Sequence, residues 1–399
     1  MITIVKINPE SLDDAKQGMI KLIEQIGYKP SKPQIFLKPN VVDALPPSHA
    51  VDVNPVVTAG LILALNEKFE IEEFVIGENS GYFSEKPETF ERLIETSGYK
   101  QMVKDLKENY NIPVSLVNLE YVELDQYQWK FPPKKIKLPS LVKTHSYINL
   151  PKMKTHGTCM VTLGLKNQKG LLLLKDKKRF HLGFRDDEGV YHSNLHECIT
   201  ELGNIVKPEL TICDATTALE GNGPTTNPGT TWVKKLDICI GGTDMIEVDN
   251  ACCQIMGIPM DLVQHVPEVE VSLASGSLPL RCEVPFRRPV KYDRPYGNMY
   301  HHSSMWTCTG CQMTLTRMNR KIAYTPELRE KLKKRNEKYD RIDFFVGRTE
   351  EEDIPEDHGV LLFCGNCTKK ISKLYPDSIH VAGCPPHYRE LAEKYVSLE

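Results

Sequence analysis

Along roughly the first 280 residues, short runs rich in β-branched and aromatic residues alternate with segments whose apolar residues recur at helical spacing. The pattern predicts strands at Ile2–Ile7, Gln34–Lys38, Glu73–Gly77, Val114–Leu119, Tyr147–Leu150, Leu210–Asp214 and Leu236–Gly241. It predicts helices at Ser11–Ile26, Asn54–Leu65, Lys86–Thr96, Asn194–Val206 and Met245–Met256. Strand–helix alternation of this kind gives an α/β architecture, a mainly parallel sheet flanked by helices. The Pro- and Arg-rich stretch LRCEVPFRRPVKYDRP reads as an extended linker. Beyond it, strands at Arg341–Val346, Gly359–Phe363 and Ser378–Val381, with helices at Lys369–Leu374 and Tyr388–Tyr395, predict a small α/β module. The expected organisation is a domain over 1–285, a linker over 286–300 and a cysteine-rich module over 301–399.

The 399 residues carry 50 Lys and Arg against 53 Asp and Glu, a formal net charge of −3, which disfavours a nucleic-acid binder that relies on bulk charge. No apolar run approaches the roughly 20 residues of a membrane helix, so no membrane insertion is expected. The opening MITIVKINPESLDDAKQ leads into a strand and an acidic helix with no secretory apolar core, which points to the cytoplasm.

Twelve cysteines in such a chain read as thiols or metal ligands before disulfides. Cys159, Cys198, Cys213, Cys239, Cys252, Cys253 and Cys282 lie among apolar neighbours and are expected to act as small buried hydrophobes. The other five form Cys308-Thr-Gly-Cys311, Cys364-Gly-Asn-Cys367 and Gly383-Cys384-Pro385-Pro386, in Gly-rich turns. Two C-x-x-C turns bring four thiolates to one centre, the donor set of either zinc or an iron–sulfur cluster. A fifth cysteine, the flanking bulk of Met305 and Trp306, and the Cys-Pro step favour a [4Fe–4S] cluster over zinc.

Polar residues crowd the predicted strand ends, where α/β sheets bind ligands. Lys38 and Asn40 follow one strand, and Glu78, Asn79 and Gly81 another. Asp214 ends a third, before a loop carrying Glu220, Gly221, Asn222 and Gly223; Asp244 precedes a helix that carries Asp249. Between Pro151 and Arg185 stand nine Lys or Arg residues, with Asp176 as the single acid. PKMKTHG places His156 and Gly157 at an expected helix N-terminus, a natural anion site, with Lys152, Lys154, Lys166, Asn167 and Lys169 supplying charge and donors. Few aromatic residues accompany these cations, so a carboxylate or phosphate suits them better than a nucleic acid. His192 and His196 share a helix face without an HExxH glutamate and read as surface histidines. No P-loop, GxSxG elbow or GxGxxG fingerprint is present.

KPN at Lys38, PKMKTH at Pro151–His156, LKNQKG at Leu165–Gly170, CDATTALEGNGP at Cys213–Pro224 and GGTDMIEVDNACCQIMGI at Gly241–Ile258 resemble the family catalogued as domain of unknown function 362. The resemblance spans about two-thirds of the chain. Members often carry iron–sulfur cysteines beyond the shared domain, and the tail here lacks the ferredoxin run C-x-x-C-x-x-C-x-x-x-C-P. A single cluster with a non-ferredoxin ligand pattern is therefore implied.

The expected function is a redox enzyme with one [4Fe–4S] cluster and a small anionic substrate. Lys38, Lys154, Lys166 and Lys169 would hold that substrate, assisted by Asn40, Lys152, Asn167 and the Gly221–Gly223 turn. His156 would be the proton donor, and Glu78 and Asp214 would orient it or share a metal. Electrons would come from a ferredoxin- or flavodoxin-type donor. The alternatives are a lyase with an open iron site, a non-catalytic electron-transfer or maturation partner, and an enzyme with a structural zinc clip.

Overall fold

The computed structural model describes the chain apart from residues 80–86, 132–133, 183, 186–190, 193–194, 227–230, 283, 290–297, 304–308, 348, 384–385 and 399, with backbone alone at some further positions. The chain forms two compact units, one of residues 1–180, 185–190 and 194–289, the other of 181–184, 191–193 and 290–399.

The strands are, in chain order, β1 (Ile2–Lys6), β2 (Gln34–Pro39), β3 (Glu73–Glu78), β4 (Val114–Asn118), β5 (Leu124–Gln128), β6 (Lys135–Pro139), β7 (Ser146–Leu150), β8 (Lys152–His156), β9 (Met160–Thr162), β10 (Phe184–Arg185), β11 (Tyr191–His192), β12 (Leu210–Gly221) and β13 (Thr231–Gly242). The main sheet of the larger unit runs β1-β13-β12-β7-β2-β3-β4, with β8 paired to β12 and β9 to β8. From β12 to β4 every pairing is parallel, while β13 pairs antiparallel with both β12 and β1. The expected α/β class with a mainly parallel sheet is the observed one.

Local chemistry sets the helix boundaries. Ser11 Oγ accepts from Asp14 N at 3.2 Å and opens Leu12–Ile26, which closes on Gly27 at φ +69°. Asn54 Oδ1 accepts from Val56 N at 2.9 Å to open Pro55–Lys68, and Asp244 Oδ1 accepts from Ile246 N at 2.8 Å to open Met245–Met256. Pro55–Lys68 is apolar nearly all round, burying Val57, Leu61, Ile62 and Leu65 against the sheet and its neighbours. Each such side chain contributes on the order of 1.5–3 kcal/mol.

Several features of the larger unit depart from the sequence reading. Lys152–His156 is a strand rather than the approach to a helix, and a turn and β9 follow it. The strand expected to end at Asp214 continues to Gly221, with an irregularity between Ala215 and Thr217. Tyr99–Tyr110 forms a helix, and β5 and β6 form a hairpin, neither of which the pattern of hydrophobic positions predicts. Cys282 is exposed, unlike the other six cysteines read as buried.

The smaller unit holds a parallel sheet ordered β14 (Met299–Ser303), β15 (Ile342–Val346), β16 (Val360–Cys364) and β17 (Ile379–Val381). Helices Thr309–Tyr324, Pro326–Lys338 and Tyr388–Val396 accompany it. Its core gathers Met318, Ile342, Phe344, Val346, Leu362 and Leu391. Among the described residues no helix is long and apolar enough to cross a membrane.

Candidate functional site

The sheet order sets β2 beside β7, although the chain leaves β2 toward β3 and leaves β7 toward β12. Such a reversal opens a crevice at the carboxyl ends of the two strands, where α/β sheets place ligands. Lys38 lies there fully buried, and its ammonium donates to Glu78 Oε1 at 2.9 Å, Pro39 O at 2.9 Å and Asn167 Oδ1 at 3.0 Å. Asn40 Nδ2 donates to the same Asn167 oxygen at 3.0 Å. Asn167 Nδ2 in turn donates to Lys38 O at 3.2 Å and to Asn149 Oδ1 at 2.8 Å. A Cβ on Gly170 would stand 2.2 Å from Lys38 Nζ, so only glycine lets the backbone pass this close to the Lys38–Glu78 pair.

Strand β8 adds the second group. Its two-residue period sends Lys152, Lys154 and His156 to one face and Met153 and Thr155 to the other. Lys152 donates to Asp214 Oδ2 at 2.7 Å and Thr217 Oγ1 at 3.2 Å. Asp214 also accepts from Asn54 N at 2.8 Å and from Thr216 N and Oγ1 at 2.9 and 2.7 Å. Lys154 donates to Val51 O at 2.6 Å. Thr155 Oγ1, on the opposite face, donates to Gly221 O at 2.7 Å, and Gly157 N donates to Gly223 O at 3.0 Å. The Gly221–Gly223 turn is therefore bound to the backbone of β8, with Asn222 nearly buried within it.

The anion site expected at a helix N-terminus beside His156 is not formed. The short helix Gly164–Asn167 begins eight residues later, and the protein's own Asp249 caps it, accepting from Gly164 N at 2.6 Å and Leu165 N at 2.9 Å. Burial outweighs these bonds and raises the Asp249 carboxyl to about 7. His156 Nδ1 accepts from Thr158 N at 3.1 Å and Cys159 N at 3.2 Å, which leaves the ring proton on Nε2. Glu78 and Asp214 are engaged by Lys38 and Lys152 rather than set to orient His156.

The remaining cations lie nearby. Lys166 is half-buried and makes no hydrogen bond or ion pair among the described residues. Lys169 is nearly buried, and Lys177 donates to Asn79 Oδ1. Desolvation lowers Lys38, Lys154, Lys166 and Lys169 below the ordinary lysine range and Lys177 to about 8, and the lysines depress one another further. These five and Lys152 face the carboxylates of Asp52, Glu78, Glu120 and Asp214 among the described residues.

Several residues of this region escaped the sequence reading. Asp52, in VDVNP, is buried near Lys154, and desolvation raises its carboxyl above the usual range. Asn149 holds Asn167 in place. His196, read as a surface residue, faces the fully buried His265, with their Nδ1 atoms 3.3 Å apart; burial, then Lys166, lowers His196 to about 4. The backbone of His192 is in β11, while its side chain lies outside the described residues. The alternation K-M-K-T-H was the available signal for β8, and nothing in VDVNP marks Asp52 apart from its place between two valines.

In the smaller unit Cys364 ends β16 fully buried, and Cys367 lies exposed in the turn Asn366–Thr368. Cys311 is buried in the first turn of the helix Thr309–Tyr324 rather than in a Gly-rich loop. Gly365 has φ +103°, and a Cβ there would stand 3.4 Å from Cys367 Sγ and 3.6 Å from Cys311 Sγ. Two sulfurs from cysteines more than fifty residues apart thus converge over one glycine. Asn366 N donates to Gly383 O, and Gly383 N donates to Asn366 Oδ1, both at 2.9 Å, which ties the turn to the segment before Cys384. Cys308, Cys384, Met305 and Trp306 lie outside the described residues, as does Gly81 in the larger unit. Among the described residues no three His, Cys, Asp or Glu side chains are grouped to hold a metal.

The larger unit is thus an α/β protein with a buried lysine–carboxylate–amide network at its topological switch point. The model of the family described as domain of unknown function (DUF362) matches residues 35–254, more than half of the chain, and the protein belongs to that family. A thylakoid-associated protein of Synechocystis sp. is 36% identical over 77 residues, which are 19% of this chain and 23% of the relative. The chain therefore matches less than a quarter of that curated relative's length. A crystal structure of a Thermotoga maritima protein aligns with a TM-score of 0.33 at 14% identity, covering 58% of this chain and 56% of that one.

Proposed function

We propose that this protein is an iron–sulfur redox enzyme whose larger unit binds a small carboxylate or phosphate among its buried lysines. The observation that carries the reading is Lys166, a half-buried ammonium with no hydrogen bond or ion pair among the described residues, within the field of Lys38 and Lys154. Desolvating cations without equal counter-charge costs several kcal/mol per ion, and a bound anion would offset that cost. Lys169 stands beside Lys166, and Asn167, held by Lys38, Asn40 and Asn149, anchors the segment that carries them.

The sulfurs of Cys311 and Cys367 over Gly365, with Cys364 one residue before it, fit a thiolate-bound centre. Cys308 and Cys384 would complete the donor set, and five cysteines favour a [4Fe–4S] cluster over a single zinc. Such a cluster supplies one-electron transfer, which calls for a ferredoxin- or flavodoxin-type donor. The chain's own residues bind the anion at Lys166 and Lys169. They keep Lys38 and Lys152 in place through Glu78 and Asp214.

Two measurements on protein purified without oxygen test this. Metal and sulfide analysis should find about four iron and four sulfide per chain. One zinc and no colour would replace the cluster by a structural clip. Titration with acetate and inorganic phosphate should show binding that Lys166→Ala weakens at least about tenfold; equal binding by the variant would remove the anion site.

A further inference from the structure

The lysines account for a ligand's negative charge, but two buried groups in the same region ask for the opposite kind of atom. Asp52 and Asn40 are each 4% exposed, and Asp52 Oδ2 and Asn40 Oδ1 have no hydrogen-bond partner among the described residues. Both residues are otherwise fixed. Asp52 Oδ1 accepts from Val42 N at 2.7 Å, with the Asp43 N–H also stabilising the carboxylate; Asn40 Nδ2 donates to Asn167, and Val53 N donates to Asn40 O at 2.9 Å. The segments 40–42 and 51–53 are thus zipped together with two acceptor oxygens left unmet. Lys154 stands on the same segment through Val51 O, close enough for Asp52 to be its main electrostatic partner, yet the two make no ion pair.

A buried carboxylate and a buried ammonium normally close into direct contact, because each left alone costs several kcal/mol. Here both are held short of it by their backbone anchors. A plain carboxylate or phosphate brings only acceptors, so it satisfies lysines and leaves Asp52 and Asn40 unmet. A ligand ammonium would supply donors, but it would enter a region where lysines already repel one another. A hydroxyl is neutral, donates one hydrogen bond and accepts others.

We infer that Asp52 and Lys154 together bind a hydroxyl group of the ligand, the hydroxyl donating to Asp52 Oδ2 and accepting from Lys154 Nζ, so that the substrate is a small hydroxylated anion. This rests on the anion reading above and adds to it a polar anchor that fixes orientation. Desolvation raises the Asp52 carboxyl and lowers the Lys154 ammonium, as expected of two groups held apart from water and from each other.

The test is a calorimetric titration of the intact protein with paired anions that differ in one hydroxyl. The pairs are glycolate and acetate, 3-hydroxybutyrate and butyrate, and glycerol 3-phosphate and propyl phosphate, with glycine as the ammonium control. In at least one pair the hydroxylated member should bind about tenfold or more tightly than its partner, and glycine should bind more weakly than glycolate. Asp52→Asn should bring that ratio close to one by weakening the hydroxylated member relative to its partner. Equal affinity within every pair that binds would overturn the hydroxyl site and leave the anion site standing. Binding by none of these anions would overturn both. The ratios of the unaltered protein decide the matter even if Asp52→Asn does not fold.

Discussion

Lys38 and Glu78 meet at 2.9 Å with their side chains 0% and 5% exposed, joining the ends of two adjacent parallel strands below the surface. Removing one member leaves the other charged and unpaired. Lys38→Met is expected to lower stability by about 3–5 kcal/mol in urea denaturation. Lys38→Met with Glu78→Leu should recover most of that loss. A double variant as unstable as the single one would show that the pair is not what the variant breaks.

Asp249 is a structural cap on Gly164–Asn167, the short helix that begins eight residues beyond the His156–Gly157 position where the sequence suggested an anion site. Asp249→Ala strands the N–H groups of Gly164 and Leu165 in the interior, and each unmet donor costs about 1–3 kcal/mol. Asp249→Asn keeps an acceptor and should cost less. An alanine variant as stable as the parent would show that Gly164–Asn167 needs no cap.

Anion affinity should fall as pH rises from 6 to 9. Lys154 and Lys177, both lowered, lose protons across this range, and Asp52, raised, loses its own, so each step makes the crevice less positive. Net loss of one proton on the way corresponds to a decrease of about tenfold or more in acetate binding, since acetate is fully ionised throughout. Affinity that stays flat or rises with pH would show that these lysines do not hold the anion.

Gly365→Ala puts a methyl against two sulfurs at a backbone angle that L residues rarely adopt. The iron content of the purified protein should fall by half or more, with acetate and phosphate binding by the larger unit unchanged. Full iron loading of this variant would mean that Cys311 and Cys367 do not share a centre at this position.

Much of the fold follows from short-range pattern. The helix starts at Ser11, Asn54 and Asp244 were legible because a cap is chemistry between residues two or three apart. The strands Gln34–Pro39 and Glu73–Glu78 were legible because a buried parallel strand is a continuous apolar run. The gathering of lysines after Pro151 and the two C-x-x-C spacings are likewise facts of the chain itself.

What the chain alone did not decide is which charge meets which. Lys38 finds Glu78 forty residues away, Lys152 finds Asp214 at 62, and Gly164 finds Asp249 at 85. Those pairings follow from the order of strands in the sheet, set by the packing of all the helices at once, and no local period encodes that order. The same cause made KMKTH a strand: its backbone is paired by β9 on one side and β12 on the other, partners that become neighbours only when the sheet closes. Sequence determined that cations and carboxylates would stand at strand ends; tertiary structure decided that most would neutralise one another and that Lys166 and the Oδ2 of Asp52 would be left without a partner among the described residues.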